Sequence, residues 1–233
     1  MGTFKITYLH HSGFICELED CILVFDYYMD PEGKLDDLCE VSSKPLYFFV
    51  SPFHADHFNP EINRFESRAE GYFIHRDCTL TLRNHEMLHC MEVGDFMVTK
   101  YFRIKMFGST DAGGSFLINH PKASVFHAGD LNWWHWEGEP KSYNVQMRAD
   151  YQKAIRELPD QPIDVAFVPA DLRLGEQYVW GLDYFMRHTD TKNVFPMHFW
   201  GSYEVFDRLF HEPCTTEYRS RIREIQTEGQ VFD

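Results

Sequence analysis

The stretch Leu46-Tyr-Phe-Phe-Val-Ser-Pro-Phe-His-Ala-Asp-His-Phe58 decides how the chain is read. Leu46 to Val50 form an unbroken apolar run, short enough for a strand buried on both faces. The polar cluster that follows sits where a strand gives way to a loop. It brings together His54, Asp56 and His57, all metal-ligand types suited to zinc, iron or manganese. So short a segment cannot surround an ion alone, so further ligands must come from elsewhere. Two later stretches have the same form, an apolar run ending in a ligand-type residue: Val125-Phe-His-Ala-Gly-Asp130 and Asn193-Val-Phe-Pro-Met-His198. The expectation is that His54, Asp56, His57, Asp130 and His198 converge on one cleft at the ends of strands.

These residues, in this order, resemble the metallo-β-lactamase-fold hydrolases, in particular the branch with ascorbate-phosphate lactonase-like and phospholipase D-like members. The signature of that family is His-x-His-x-Asp-His after a strand, then Gly-Asp after a later strand, then a late His. Here it reads Pro52-Phe-His54-Ala-Asp56-His57, then Gly129-Asp130, then His198. The opening Tyr8-Leu-His-His-Ser-Gly-Phe14, followed by Cys21-Ile-Leu-Val-Phe-Asp26, is also similar to that branch. The resemblance spans the chain from Phe4 to about Trp200. It implies a four-layer αββα sandwich and a site holding up to two metal ions. The chain departs from the pattern in two places. Pro52 stands where the first His belongs, and the stretch from Phe107 to Phe116, where another His is expected, has none. By analogy the second site, Asp56, His57, Asp130 and His198, is complete, and the first keeps only His54 and a shared Asp130. The implied cofactor is a divalent ion, zinc before manganese or iron, with one tight site and a second that is weak or absent.

Composition sets the outer bounds. A chain of 233 residues with 44% hydrophobic and 16% aromatic content can bury a sizeable core. A net charge of −14 argues against a nucleic-acid backbone as the main partner, because such binding relies on Lys and Arg. No apolar run approaches the roughly 20 residues of a membrane helix, and no signal-peptide core follows Met1. The 6 cysteines have no paired spacing, which fits reduced thiols and a cytoplasmic setting. With no repeat, linker or boundary in view, residues 1–233 are expected to form one domain. Oligomeric state is not legible.

Early strands, then alternating strands and helices, indicate a layered α/β fold. Strands are expected over 4–9, 14–18, 21–25, 46–50, 72–75, 101–107, 115–119, 123–127, 163–168 and 193–197. Residues 87–93 and 96–100, around Gly94-Asp95, read as a hairpin. Helices are expected over 142–158, with Val145, Ala149, Ile155 and Leu158 inward, and over 175–189, 203–210 and 217–225. Asn59-Pro60 reads as the cap of a short helix.

Several residues have two readings each. Asp26 either supports ligands from behind, as the resemblance implies, or closes a turn. His11 lines the site or is solvated. His127, one face away from Asp130 on a regular strand, is supporting or structural. Trp133 and Trp134 wall a pocket or pack the core. Asp111 is a candidate replacement ligand, as is His11. His85-Glu-Met-Leu-His89 matches the zincin pattern, which needs a helix to place both His on one face, and its strand-like flanks argue against that. The sequence supports a metal-dependent hydrolase acting on an ester, lactone or phosphoester of a small molecule, with Asp56 orienting the nucleophile or taking its proton. The alternatives are a metal-binding protein of this fold without catalysis, and a zincin protease at His85 and His89.

Overall fold

The computed structural model describes residues 4–233. A first sheet is built from β1 (Lys5–Tyr8), β2 (Phe14–Glu17), β3 (Ile22–Phe25), β4 (Leu46–Val50), β5 (Ala69–His75) and β6 (Leu88–Met91). A second contains β7 (Phe96–Val98), β8 (Arg103–Phe107), β9 (Ser115–His120), β10 (Ala123–His127), β11 (Val165–Pro169) and β12 (Val194–Met197). The short β13 (Val231–Phe232) returns to the first sheet, giving the orders β13-β1-β2-β3-β4-β5-β6 and β12-β11-β10-β9-β8-β7. The helices are α1 (Lys34–Val41), α2 (Lys141–Arg156), α3 (Trp180–His188) and α4 (Glu204–His211).

Strand alternation divides the first sheet's side chains between two cores. Phe14, Phe25, Phe49 and Phe73 face the second sheet, while Ile15, Val24, Phe48 and Tyr72 join Leu35 of α1 on the outer side. Between the sheets Phe14 stacks on Phe167 at 4.2 Å, and Phe25 lies 5.6 Å from the same ring. On the far side of the second sheet Phe126 stacks on Phe185 of α3 at 5.4 Å. Each buried aromatic side chain contributes roughly 1.5–3 kcal/mol. The result is the αββα arrangement.

Direction explains where the site forms. β1 and β3 are both antiparallel to β2, and β3 and β4 are parallel, so β1, β3 and β4 all end at one edge of the first sheet. In the second sheet β10, β11 and β12 are mutually parallel and also end together. Ligand sites in α/β sheets gather at such carboxyl edges.

Four expectations are corrected. Residues 87–93 and 96–100 are not a hairpin: β6 pairs with β5 and β7 with β8, so Gly94-Asp95 carries the chain from one sheet to the other. On α2 the inward stripe is Met147, Tyr151 and Ile155 at helical spacing, and Val145 is 69% exposed. Residues 213–221 form short 3₁₀ turns, not a helix over 217–225. The expected helix over 175–189 is broken, with non-helical backbone at Gly175 before α3 begins at Trp180. Among the described residues no helix is long and apolar enough to cross a membrane.

Candidate metal centre

Six loops leave the shared edge, and each delivers one part of a cluster. After β4, Asp56 and His57 follow a turn in which the His57 and Phe58 N–H groups both donate to the His54 carbonyl. Asp130 follows β10, Asp171 follows β11, and His198 follows β12. His11 and Asp26 follow β1 and β3.

The histidines are oriented from behind. His57 Nδ1–H donates to Asp26 Oδ2 at 2.6 Å, and His198 Nδ1–H donates to Asp171 Oδ2 at 2.9 Å. With Nδ1 tied, each ring directs Nε2 at the cluster. Asp26 is itself fixed by Ser51, whose N–H donates to Oδ1 at 2.8 Å and whose hydroxyl donates to Oδ2 at 2.5 Å. His57 Nε2 lies 3.0 Å and His198 Nε2 3.3 Å from the same oxygen, Asp130 Oδ1. Asp56 Oδ2 lies 3.3 Å from His11 Nε2 and 3.9 Å from His198 Nε2. His54 Nδ1 meets the other Asp130 oxygen, Oδ2, at 3.0 Å.

His11, Asp56, His57 and His198 each offer a ligand atom, and these atoms lie within 4.8 Å of one another. His57 Nε2, Asp130 Oδ1 and both nitrogens of the fully buried His11 have no hydrogen-bond partner. Buried polar atoms are ordinarily satisfied, so convergent ones without partners fit a cation between them. The donor set, imidazole and carboxylate without thiolate, suits zinc, manganese or iron.

Backbone geometry marks the same place. The non-glycine residues with positive φ among the described ones are His11 (56°), Asp26 (42°), His198 (64°) and Trp200 (52°). Left-handed backbone is strained for such residues and gathers at functional sites. Three of the four belong to the cluster, and the fourth is two residues beyond His198.

Charge follows proximity. Burial opposes the His57 charge, yet Asp26 and Asp130 outweigh it and raise the pKa well above that of an ordinary imidazole. His198 is raised likewise, against burial, by Asp130 and Asp171. Burial alone would raise the Asp130 carboxyl, but His198 and His57 hold it far below the usual range. Asp56 is lowered to about 2, as His11 and His57 overcome its burial. His11 goes the other way, lowered to about 4 chiefly by burial.

The remaining sequence candidates fall into place around this core. His127 is buried and satisfied: Nε2–H donates to the Ser12 carbonyl at 2.9 Å, Nδ1 accepts from Gly129 N–H, and the ring stacks on Phe25. It supports the Gly129 turn and is not aimed at the cluster. Trp134 lies 5.2 Å from His198 and donates from Nε1 to the Asp130 carbonyl. Trp133 instead packs against Trp180, Tyr184 and Tyr151 of the helical layer, away from the site. Asp111 lines the cleft with Thr110 but is not among the convergent ligand atoms. His10 turns outward to Glu228. His85 occupies a single 3₁₀ turn, and His89 lies on β6 with its ring stacked on Phe73, so the two share no helical face.

Asp171 was not anticipated, although the sequence carries a signal for it. The apolar run Val165-Ala-Phe-Val-Pro169 ends two residues before it, the same pattern that marks Asp130 and His198.

The cluster opens into a cleft of about 270 Å³. Its lining includes His54, Asp56, Asp130 and His198, the indoles of Trp134, Trp136 and Trp200, and Arg173. A larger cleft of about 750 Å³ beside Asn63 and Asn84 has one carboxylate, Glu66, and no histidine. A second ligand-type trio, Asp20, Cys21 and His120, lies elsewhere. There His120 is already satisfied, donating to Asp20 and accepting from Lys122 N–H.

No family model and no curated protein matches the sequence. Solved structures do match the fold. Igni18, a metallo hydrolase of Ignicoccus hospitalis, is 16% identical over 99% of this chain and 98% of its own, with a TM-score of 0.64. The metallo-β-lactamase fold protein YhfI of Bacillus subtilis is 13% identical over 98% of each chain, with a TM-score of 0.65. A variant of the β-hydroxylase CmlA is 11% identical over 100% of this chain and 54% of its own, with a TM-score of 0.63. A hydrolase and a hydroxylase on one scaffold show that the fold does not fix the reaction. What these likenesses establish is the architecture: this chain has the metallo-β-lactamase fold.

Proposed function

We propose that the protein is a metal-dependent hydrolase of a small-molecule ester, lactone or phosphoester. The observation that carries this reading is the convergence of ligand atoms from His11, Asp56, His57 and His198 within 4.8 Å of one another beside a cleft, with Asp130 Oδ1 3.0 Å from His57 Nε2 and 3.3 Å from His198 Nε2. Asp56, His57, Asp130 and His198 would hold one divalent ion tightly, zinc before manganese or iron, with His11 as an additional donor. When bound, such an ion supplies Lewis acidity that polarises a substrate oxygen and lowers the pKa of water.

The chain's own residues set the geometry. With an ion bound, Asp26 and Asp171 would keep a proton on Nδ1 of His57 and His198, so that both Nε2 lone pairs face the cluster. Asp56, ionised across the neutral range, accepts a hydrogen bond from the attacking water and orients it; its low pKa suits an orienting acceptor better than a proton carrier. Trp134 and Trp136, stacked at 6.1 Å, give the cleft an apolar wall that limits bulk water. On the His54 side a second ion would find His54 and Asp130 Oδ2, with Asp111 of the same cleft as a candidate substitute for the donor that Pro52 lacks. The acidic chain favours a small-molecule substrate over a nucleic acid. Its free cysteines fit the cytoplasm.

The test is turnover of a panel of lactones, carboxylic esters and phosphodiesters by protein stripped of metal and then reloaded with zinc or manganese. Activity that appears on loading, disappears with chelator and is absent in His57→Ala supports the reading. Full metal loading with no turnover of any class would make a non-catalytic metal-binding protein the better description.

A further inference from the structure

We propose that Arg173 is the residue that selects the substrate: its guanidinium binds a singly charged oxyanion, carboxylate or phosphodiester, on a molecule whose flat apolar portion lies against the tryptophans of the cleft. This inference rests on the reading of the cleft as the active site and names the class of molecule it takes.

Arg173 is the one Lys or Arg among the residues that line the cleft. It is held rigidly. Its Nε donates to both Asp171 oxygens, at 3.0 and 2.9 Å, and Nη2 donates to Oδ2 at 2.5 Å. Its guanidinium carbon lies 5.3 Å from the ring centre of Trp200 and 5.9 Å from that of Trp136, so two indoles flank it. These hydrogen bonds leave Nη1 unengaged. The side chain is 52% exposed even though its partner Asp171 is buried. A structural arginine is ordinarily satisfied around its whole fork, whereas one fixed along one edge and open along the other is pre-organised to receive a planar oxyanion.

Asp171 links this arginine to the metal centre. The oxygen that accepts from Nη2, Oδ2, also accepts from His198 Nδ1. The residue that would grip the substrate and the residue that would hold the ion are therefore set by one buried carboxylate. A ligand bound to Arg173 lies in fixed register with the reacting centre, as positioning requires. The limit to a single negative charge comes from Asp56, Asp111 and Asp130, three carboxylates that line the same cleft and would repel a dianion. The aromatic part follows from Trp134, Trp136 and Trp200 in a space of about 270 Å³.

The probes are benzoate and benzamide, which share a shape and differ in charge. Their binding is followed by tryptophan fluorescence and by ligand-observed NMR, with zinc-loaded and with chelator-stripped protein. The expected result is benzoate bound at least about tenfold more tightly than benzamide in both forms. The preference should fall below about threefold in Arg173→Met and be partly kept in Arg173→Lys. The stripped arm excludes the ion as the source of the preference. Zinc stoichiometry and the circular-dichroism melt of Arg173→Met show that His198 and the fold are intact. Equal binding of the two probes, a preference that survives Arg173→Met, or no saturable benzoate binding below about 10 mM would overturn the inference. Turnover is not read, so a failure of the hydrolase reading would appear in the substrate panel and leave this result standing.

Discussion

Asp171 and Asp26 have parallel tasks, each holding one histidine by its Nδ1 proton, and they follow strands of different sheets. Removing such an orienting carboxylate usually lowers metal affinity by about 10–100-fold. Asp171→Asn should weaken zinc binding by that amount in a competition titration and leave the far-UV spectrum unchanged; unchanged affinity would show that His198 needs no support. His57 supports a proton-linkage argument. Its pKa in the metal-free protein is raised, so the ring is protonated at neutral pH, and an ion can take Nε2 only after that proton leaves. Metal binding should therefore release close to one proton from His57, and affinity should rise with pH until the raised pKa is reached. His11, lowered to about 4, is already neutral and adds no proton. Calorimetry in buffers of different ionisation enthalpy counts the protons, and a release of none at pH 7 would contradict the charge state assigned to His57.

Among the connecting segments, the β4 loop approaches two glycine turns closely. A Cβ at Gly113 (φ 73°) would lie 2.1 Å from the Ser51 carbonyl oxygen, and one at Gly129 (φ 56°) would lie 2.5 Å from the Ser51 hydroxyl. The loop that lacks the expected imidazole thus packs directly on the residue that fixes Asp26. Gly113→Ala should cost about 1–3 kcal/mol from backbone strain alone, and more from the clash, read as a lower urea midpoint. A midpoint equal to the parent's would mean that the loop relaxes freely. The strand ends were legible because Leu46–Val50 and Val194–Met197 are apolar runs that stop abruptly at polar residues. The β6–β7 connection was not, since a turn at Gly94-Asp95 looks the same in sequence whether the strands pair or part. Nor was α1, whose single fully buried residue, Leu35, gives no periodic stripe.

For the whole molecule, the site is the product of strand direction in two sheets, and this is why only part of it could be read from the chain. Asp56, His57, Asp130 and His198 stand in recognisable local patterns. His11 and Asp171 join them only through the way β1 and β11 are laid beside their neighbours, and the left-handed backbone at His11, Asp26 and His198 has no sequence signature. The decoy His85 and His89 matched a motif whose helix the first sheet replaces with β6. His89→Ala should leave metal content unchanged by elemental analysis; loss of the ion would restore the zincin reading. A single tight metal site at the shared edge of the sheets can be checked by titrating zinc into stripped protein, parent and His57→Ala side by side, with an anomalous diffraction map of the loaded parent. One tightly bound ion per chain is expected, ringed by Asp56, His57, Asp130 and His198, and lost in His57→Ala. Two equally tight ions, or one that persists without His57, would contradict it.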